Sequence, residues 1–335
     1  MMPRARMRDV AELAGVGTMT VSRVLSGSVP VSERTRERVE RAIKELNYRP
    51  NEVARSLRVA RTRSIGIIVP NFDDVFFSTC AHEVSVVAKE HSYSFMITTS
   101  EEDPETEFAE ATLMLGRHVE GMIIIPAAAG KSRLDEPDFK SLPIVALDRP
   151  LHGTQFSSVV VENKRGAELA VKHLIEHNHR KILLLALTDQ HFTLNARRDG
   201  YVQAMKRAGL TPEVFAKCNS QAATLEVLHT MKQAGTLPTA IFVSNYLVMR
   251  YVLHALNTLN LSIPRDIAIA GFDDFEMADI FDPALTVVRQ PLHDMGRAAA
   301  EMLFEQLGEG GPPAQSKRRV MPVELVIRRS CGCGA

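Results

Sequence analysis

Apolar positions recur at helical spacing near the start of the chain. Val10, Leu13 and Ala14, with Ala11 beside them, form one short stripe, and Val21, Val24 and Leu25 form a second. Gly15-Val16-Gly17 interrupts the run, so Met7 to Leu25 predicts two helices joined by a turn. A third helix is expected from Val31-Ser32, with Ser32 as N-cap and Glu33 at the positive end of the helix dipole. It would bury Val39, Ala42, Ile43 and Leu46 and stop before Pro50. The expected core of this small all-α head is Val10, Leu13, Val21, Val24, Val39, Ile43 and Leu46. A further helix, Glu52 to Arg58, can be capped by Asn51 and carries Val53, Ala54 and Leu57. Helix nucleation is costly, so a segment this short needs a surface on which to order.

From Ser64 the period changes. Short β-rich runs (Ile65 to Val69, Phe95 to Thr98, Met122 to Ile125, Ile144 to Leu147, Val159 to Val161, Ile182 to Leu187, Ala240 to Val243, Ile267 to Ala270) alternate with amphipathic helices, among them Phe77 to His91, Arg165 to His177 and Ala196 to Ala208. This alternation predicts an α/β body of parallel sheets covered on both faces. Its length, about twice that of an ordinary domain, predicts two lobes.

Composition adds little until the charges are located. The chain has 335 residues, 45% hydrophobic and 24% charged, and its net charge is zero. Yet Met1 to Arg63 holds fourteen Lys and Arg against seven Asp and Glu, a head of +7 that leaves the rest at −7. That asymmetry fits a phosphate-binding head on a solubilising body. The N-terminus has arginines without the apolar core of a signal peptide, and no membrane-length apolar run follows. A cytoplasmic protein without a membrane partner is expected.

Four cysteines are too few and scattered for a disulfide framework, and Cys331-Gly332-Cys333 reads as a frayed terminus. His173, His177 and His179 share a helix-to-strand joint with no cysteine or acid cluster adjacent in sequence, so neither a metal nor a cofactor is expected. No nucleophile elbow, glycine-rich phosphate loop or HExxH word points to an enzyme.

The words DVAELAGV, TVSRVL, VSERTR, AIKELNYRPN and VARSLR, in this order and spacing, resemble the DNA-binding head of the lactose-repressor family of bacterial transcription regulators, and the resemblance runs to Ser330. It implies that the second helix presents Thr18, Met19, Thr20, Ser22 and Arg23 to a major groove, with Arg23 the candidate guanine reader. It also implies that Asn51 caps a hinge helix whose Leu57 wedges into the minor groove while Arg55 and Arg58 meet phosphates. The implied division is a head at 1–50, hinge and linker at 51–62, and an effector-binding and dimerisation body at 63–335 similar to periplasmic sugar-binding proteins. One lobe would take 63–161 and 290–320, the other 162–289 and 321–330.

In that body the resemblance assigns Phe76 to stack on an effector, Arg197 of RRDGY to grip an effector oxygen, and Asp273 of AGFDD to accept from ligand hydroxyls. Asp148 of LDRP, Asn245 and the crossover residue Gln290 complete the set. Two departures stand out: Tyr246 occupies the place of a family acid, and Glu162 that of a common aspartate. The expected protein is a homodimeric repressor of a double-stranded operator. A sugar or sugar acid is the first choice of effector and a nucleobase the second. The alternative is the solute-binding component of a sugar transport system.

Overall fold

The computed structural model describes residues 5–26, 30–48, 62–127, 133–151, 156–187, 191–311 and 315–333. The chain divides into two compact units, Met1–Thr62 and Arg63–Ala335.

In the first unit, α1 (Met7–Ala14) is started by Asp9, whose carboxylate accepts from the Arg6 N–H at 2.7 Å, and is ended by Gly15 in the left-handed region at φ 61°. The Val16 N–H closes that end onto the Ala11 carbonyl at 2.9 Å. α2 (Thr18–Ser26) follows Gly17, and α3 (Glu33–Glu45) packs across both. Arg38 of α3 donates to the carbonyls of Ala14 and Gly15, so a guanidinium completes the C-terminal cap of α1. Ser32 stands at the N-cap of α3, but its hydroxyl pairs with that of Thr35 at 2.8 Å instead of a backbone N–H.

Val10, Ala11, Ala14, Val21, Val39, Ala42 and Tyr48 form the core, with Val24, Leu25, Ile43 and Leu46 packed against it. Leu13, expected inside, is 47% exposed. The buried face of α1 runs through Ala11 instead, and Tyr48 supplies the missing volume.

The second unit contains two six-stranded sheets. The first has the order β11-β5-β4-β3-β1-β2, with β1 Ser64–Val69, β2 Ser94–Thr99, β3 Gly121–Ile124, β4 Ile144–Leu147, β5 Ser157–Val161 and β11 Arg318–Met321. The second has the order β12-β10-β9-β8-β6-β7, with β6 Ile182–Leu185, β7 Glu213–Phe215, β8 Ala240–Val243, β9 Ala268–Phe272, β10 Thr286–Arg289 and β12 Glu324–Val326. All neighbours are parallel except β12, which runs antiparallel to β10. The chain therefore passes between sheets three times: after β5, after β10 and after β11.

The helices are α4 (Val75–Glu90), α5 (Pro104–Gly116), α6 (Asn163–Glu176), α7 (Phe192–Arg207), α8 (Gln221–Gln233), α9 (Tyr246–Thr258) and α10 (Leu292–Gly308). The inner strands β3, β4, β6, β8 and β9 are apolar and buried at every position because both faces are covered. Ile65, Ile67 and Val69 pack under α4 and α10, while Ile68, Met122 and Ile124 face Met114 of α5. In the other sheet Ile241 and Val243 meet α9, and Phe242 meets Tyr201 of α7.

Two glycines permit the closest helix crossings. A Cβ on Gly200 would lie 2.2 Å from the Lys164 carbonyl, and one on Gly296 would lie 2.6 Å from that of Cys80. Tyr201 accepts from the Glu213 N–H at 2.8 Å and donates to the Ile182 carbonyl at 2.8 Å, fastening the edge strand β7 to β6.

The terminus is not frayed at its cysteines. Ser330 accepts from the Thr286 N–H and donates to the Ile269 carbonyl, both at 2.8 Å, and the adjoining Cys331 is fully buried. A serine bridging two strands holds this segment, so it counts as sheet periphery.

Candidate functional site

The polar side chains of the body's cleft follow strands, where open α/β sheets place ligands. Asp148 and Asp273 come directly after β4 and β9, and both have left-handed backbone, φ 67° and 74°. Short polar side chains tolerate this region better than most. The Asp148 N–H donates to Val159 at 2.9 Å and the Asp273 N–H to Val288 at 3.0 Å, so each lobe offers an aspartate by the same local device. Asp74 caps α4 beyond β1, its Oδ1 accepting from the Phe76 N–H at 2.9 Å. Asn245 caps α9 after β8, accepting from the Val248 N–H at 3.2 Å, and Gln290 follows β10 at a crossing between lobes.

Asp74, Phe76 and Leu292 of one lobe face Tyr246, Asp273 and Phe275 of the other across a narrow gap, with Gln290 between them. Gln290 donates to Asp273 Oδ1 at 2.7 Å, and the Tyr246 N–H donates to Asp273 Oδ2 at 3.1 Å. Behind Asp273 lies the buried Arg197. Its Nε donates to Asn163 at 2.8 Å, its Nη1 donates to the Ser244 carbonyl at 2.8 Å and lies 3.4 Å from Asp273 Oδ1, and its guanidinium sits 3.7 Å over the Phe272 ring. Deeper in the first lobe, buried Arg149 makes a bidentate pair with Glu102, both bonds at 2.8 Å, and reaches Asp148 at 3.3 Å.

These charges set the protonation of the site. Burial, then the Asp273 charge, pushes the Asp74 carboxyl up to about 6, against the pull of the Phe76 N–H. Burial also raises Asp148, outweighing the guanidiniums of Arg149 and Arg197. His191, at the start of α7, is lowered by burial and then by Arg149. Among the described residues, Asn163 Nδ2, Ser244 Oγ and Gln290 Oε1 are buried without a protein hydrogen-bond partner. All three adjoin the Arg197–Asp273 pair, and such atoms are costly to leave unpaired.

Of the residues singled out from sequence, Phe76, Asp273 and Gln290 line the cleft. Asp148 and Arg197 are buried and act on it through charge and hydrogen bonds. Asn245 spends its Oδ1 on the helix cap. Asp74, Arg149, Glu102, Asn163 and Phe275 were not singled out. Asp74 stands in the NFDDVFF word whose phenylalanines drew attention, and its place just before a helix was the available signal.

In the head, Thr18, Met19 and Arg23 are exposed on α2, Met19 at 64%, while Thr20 and Ser22 are half-buried. Asn51, Arg55, Leu57 and Arg58 lie outside the described residues. No described helix is long and apolar enough to cross a membrane.

Residues 6–51 match the family model described as bacterial regulatory proteins, lacI family, and residues 171–331 match one described as a periplasmic binding protein-like domain. The chain is 32% identical to the HTH-type transcriptional repressor PurR of Pasteurella multocida, over 97% of this chain and 98% of that protein. It is 30% identical to the repressor of the same name from Aliivibrio salmonicida, over 97% and 98%. Among solved structures, the Lac repressor dimer bound to operator and the anti-inducer ONPF superposes with a TM-score of 0.87 at 27% identity, covering 98% of this chain and 99% of that one. The transcriptional regulator CelR in complex with cellobiose superposes with a TM-score of 0.69 at 28% identity, covering 98% and 100%.

Proposed function

This chain belongs to the lacI family of bacterial regulatory proteins, as a DNA-binding transcriptional repressor under small-molecule control, and from that premise we propose that its effector is a sugar or sugar acid held between the two lobes. The convergence of Asp74, Asp273 and Gln290 with Phe76, Tyr246 and Phe275 on one cleft carries this reading. Ionised carboxylates only accept hydrogen bonds, so a matching ligand must bring donors, and a polyhydroxylated ring brings several. Its apolar face suits the aromatic rings. A nucleobase offers fewer donors to the two acids and ranks second.

In this reading Asp273 and Asp74 accept from ligand hydroxyls. Gln290 bonds ligand and Asp273 together, Phe76 and Tyr246 flank the ring, and Arg197 positions Asp273. Asp148 tunes the charge from behind, and Asn245 keeps α9 in register. Tyr246, where the resemblance expects an acid, replaces a charge with a ring and shifts the preference toward ligands with an apolar face.

In the head, α2 enters the major groove with Thr18, Met19, Thr20, Ser22 and Arg23 toward base edges, Arg23 on a guanine. Residues 1–50 form the reader and 51–62 the hinge, where Asn51 caps the helix, Leu57 wedges into the minor groove and Arg55 and Arg58 meet phosphates. Residues 63–335 form the sensor. The partners are a near-palindromic operator, matching the symmetry of a homodimer, and the effector. Its place is the cytoplasm, where that operator lies.

The test pairs two titrations. Fluorescence anisotropy with promoter duplexes at two salt concentrations reads specific and non-specific binding. A thermal-shift screen of sugars, sugar acids and purines reads the cleft. Promoter binding that exceeds random duplex and changes with a sugar supports the reading. A response to purines alone reverses the choice of effector, and equal binding to every duplex overturns the DNA assignment.

A further inference from the structure

Away from the cleft, metal-ligating side chains from distant parts of the chain meet on the second sheet's lobe. His173 Nε2 lies 3.2 Å from Cys331 Sγ and 3.4 Å from Cys333 Sγ, and the two sulfurs are 2.8 Å apart. His173 and Cys331 are buried and Cys333 is half-buried. The sequence separated the histidines from the cysteines, and only the fold brings them together.

The surroundings hold these atoms in place. Ser330 bridges strands and fixes the backbone of Cys331. Thr286 Oγ1 accepts from the Arg328 N–H at 2.9 Å, which leaves its own hydrogen for Cys331 Sγ at 3.3 Å. An O–H directed at sulfur favours thiolate over thiol.

We propose that His173, Cys331 and Cys333 form a thiolate–imidazole site for a thiophilic d10 cation, zinc(II) above all. Two sulfurs and an imidazole nitrogen are the donors that select zinc-type ions over magnesium or calcium. A disulfide would use the sulfurs and leave unexplained why an imidazole nitrogen sits against both. Tetrahedral zinc with Zn–S bonds of about 2.3 Å needs sulfurs about 3.8 Å apart, so the pair must spread by about 1 Å. Cys333, half-buried beyond Gly332, is the ligand able to move. On binding, each thiol passes its proton to solvent, and water completes the coordination beside Cys333. Thr286 acts as a positioning residue that holds the Cys331 sulfur.

The test uses the full chain, reduced and stripped by a chelator, and titrated with zinc against a chromophoric competitor and separately with cobalt(II). One equivalent should bind, with thiolate-to-cobalt charge-transfer absorption. Because Cys331 is fully buried, C333S and H173Q carry the comparison, with circular dichroism to confirm the fold. Each should weaken binding by more than about tenfold, T286V should weaken it by about 10- to 100-fold, and H177Q should leave it unchanged. Absent charge-transfer absorption, or C333S and H173Q binding as the parent does, overturns the proposal. So does a Cys331–Cys333 disulfide, seen as the loss of two hydrogens by mass, that forms while equimolar zinc is present.

Discussion

Replacing Asp74 with asparagine should stabilise the body at neutral pH and lose that advantage in acid. The carboxyl is raised from an ordinary 3.8 to about 6, chiefly by burial and then by Asp273, so the fold prefers the protonated form. Its favourable contribution is complete below the unfolded value of 3.8 and is lost as the pH rises through about 6. One pKa unit corresponds to about 1.36 kcal/mol, so ionised Asp74 costs about 3 kcal/mol at pH 7.5, about 1.6 at pH 5 and about 0.6 at pH 4. Asparagine carries no charge, and its Oδ1 can keep the cap on the Phe76 N–H, so D74N should exceed the parent by roughly those amounts. Urea denaturation of both proteins at one chain concentration, across this pH range, measures the difference. A gap that does not change with pH, or a D74N protein less stable than the parent at pH 7.5, would refute the assignment of buried, acid-crowded Asp74.

Arg23→Ala should cost about 1–3 kcal/mol at one base pair and relax the preference there, read by anisotropy on operators substituted one position at a time. Gly200→Ala should destabilise the body by at least about 2 kcal/mol in denaturant melts, since the new Cβ would lie 2.2 Å from the Lys164 carbonyl and two packed helices would have to part. Arg197→Lys keeps the charge but loses the fork that reaches Asn163 and Ser244. It should lower body stability by about 2–3 kcal/mol and weaken the effector about tenfold or more, by calorimetry with whichever ligand the thermal screen identifies.

The head was legible because its signals are local. Helical spacing and the Gly15 break place α1 and α2 without reference to the rest of the chain. Leu13 shows the limit. It lies close to the apolar stripe of α1, and whether it or Ala11 turns inward is decided by how α3 lies across, which no spacing within α1 contains. Eight of the body's described strands were readable as apolar runs, but β7, β10, β11 and β12 were not: β7, β11 and β12 lie at sheet edges, and all four carry a charged residue.

In the cleft, residues inside memorable words were found and their charged supports were not. Arg149 is the clearest case. A buried arginine runs against the usual exposure of its type and makes sense only beside Glu102, which lies 47 positions away. His173 and Cys331 are 158 positions apart, beyond any motif that sequence inspection could join.

Repression under effector control requires the ligand to bind two arrangements of the body with different affinity. Gln290 stands where this difference can arise. It leads from β10 of one sheet into α10 under the other, and it holds Asp273 at 2.7 Å through its amide nitrogen while its buried oxygen has no protein partner. Beside it, Asp274 takes Arg289 at 2.7 Å and Arg328 at 3.0 Å, tying the second crossing to the segment that follows β12. A hydroxyl-bearing ligand that satisfies the Gln290 oxygen and competes for Asp273 would act on a bond at the crossing itself. Its differential affinity then comes from hydrogen bonds exchanged at the hinge between lobes, whereas contacts that each lobe could make alone would be equal in both arrangements and would shift nothing.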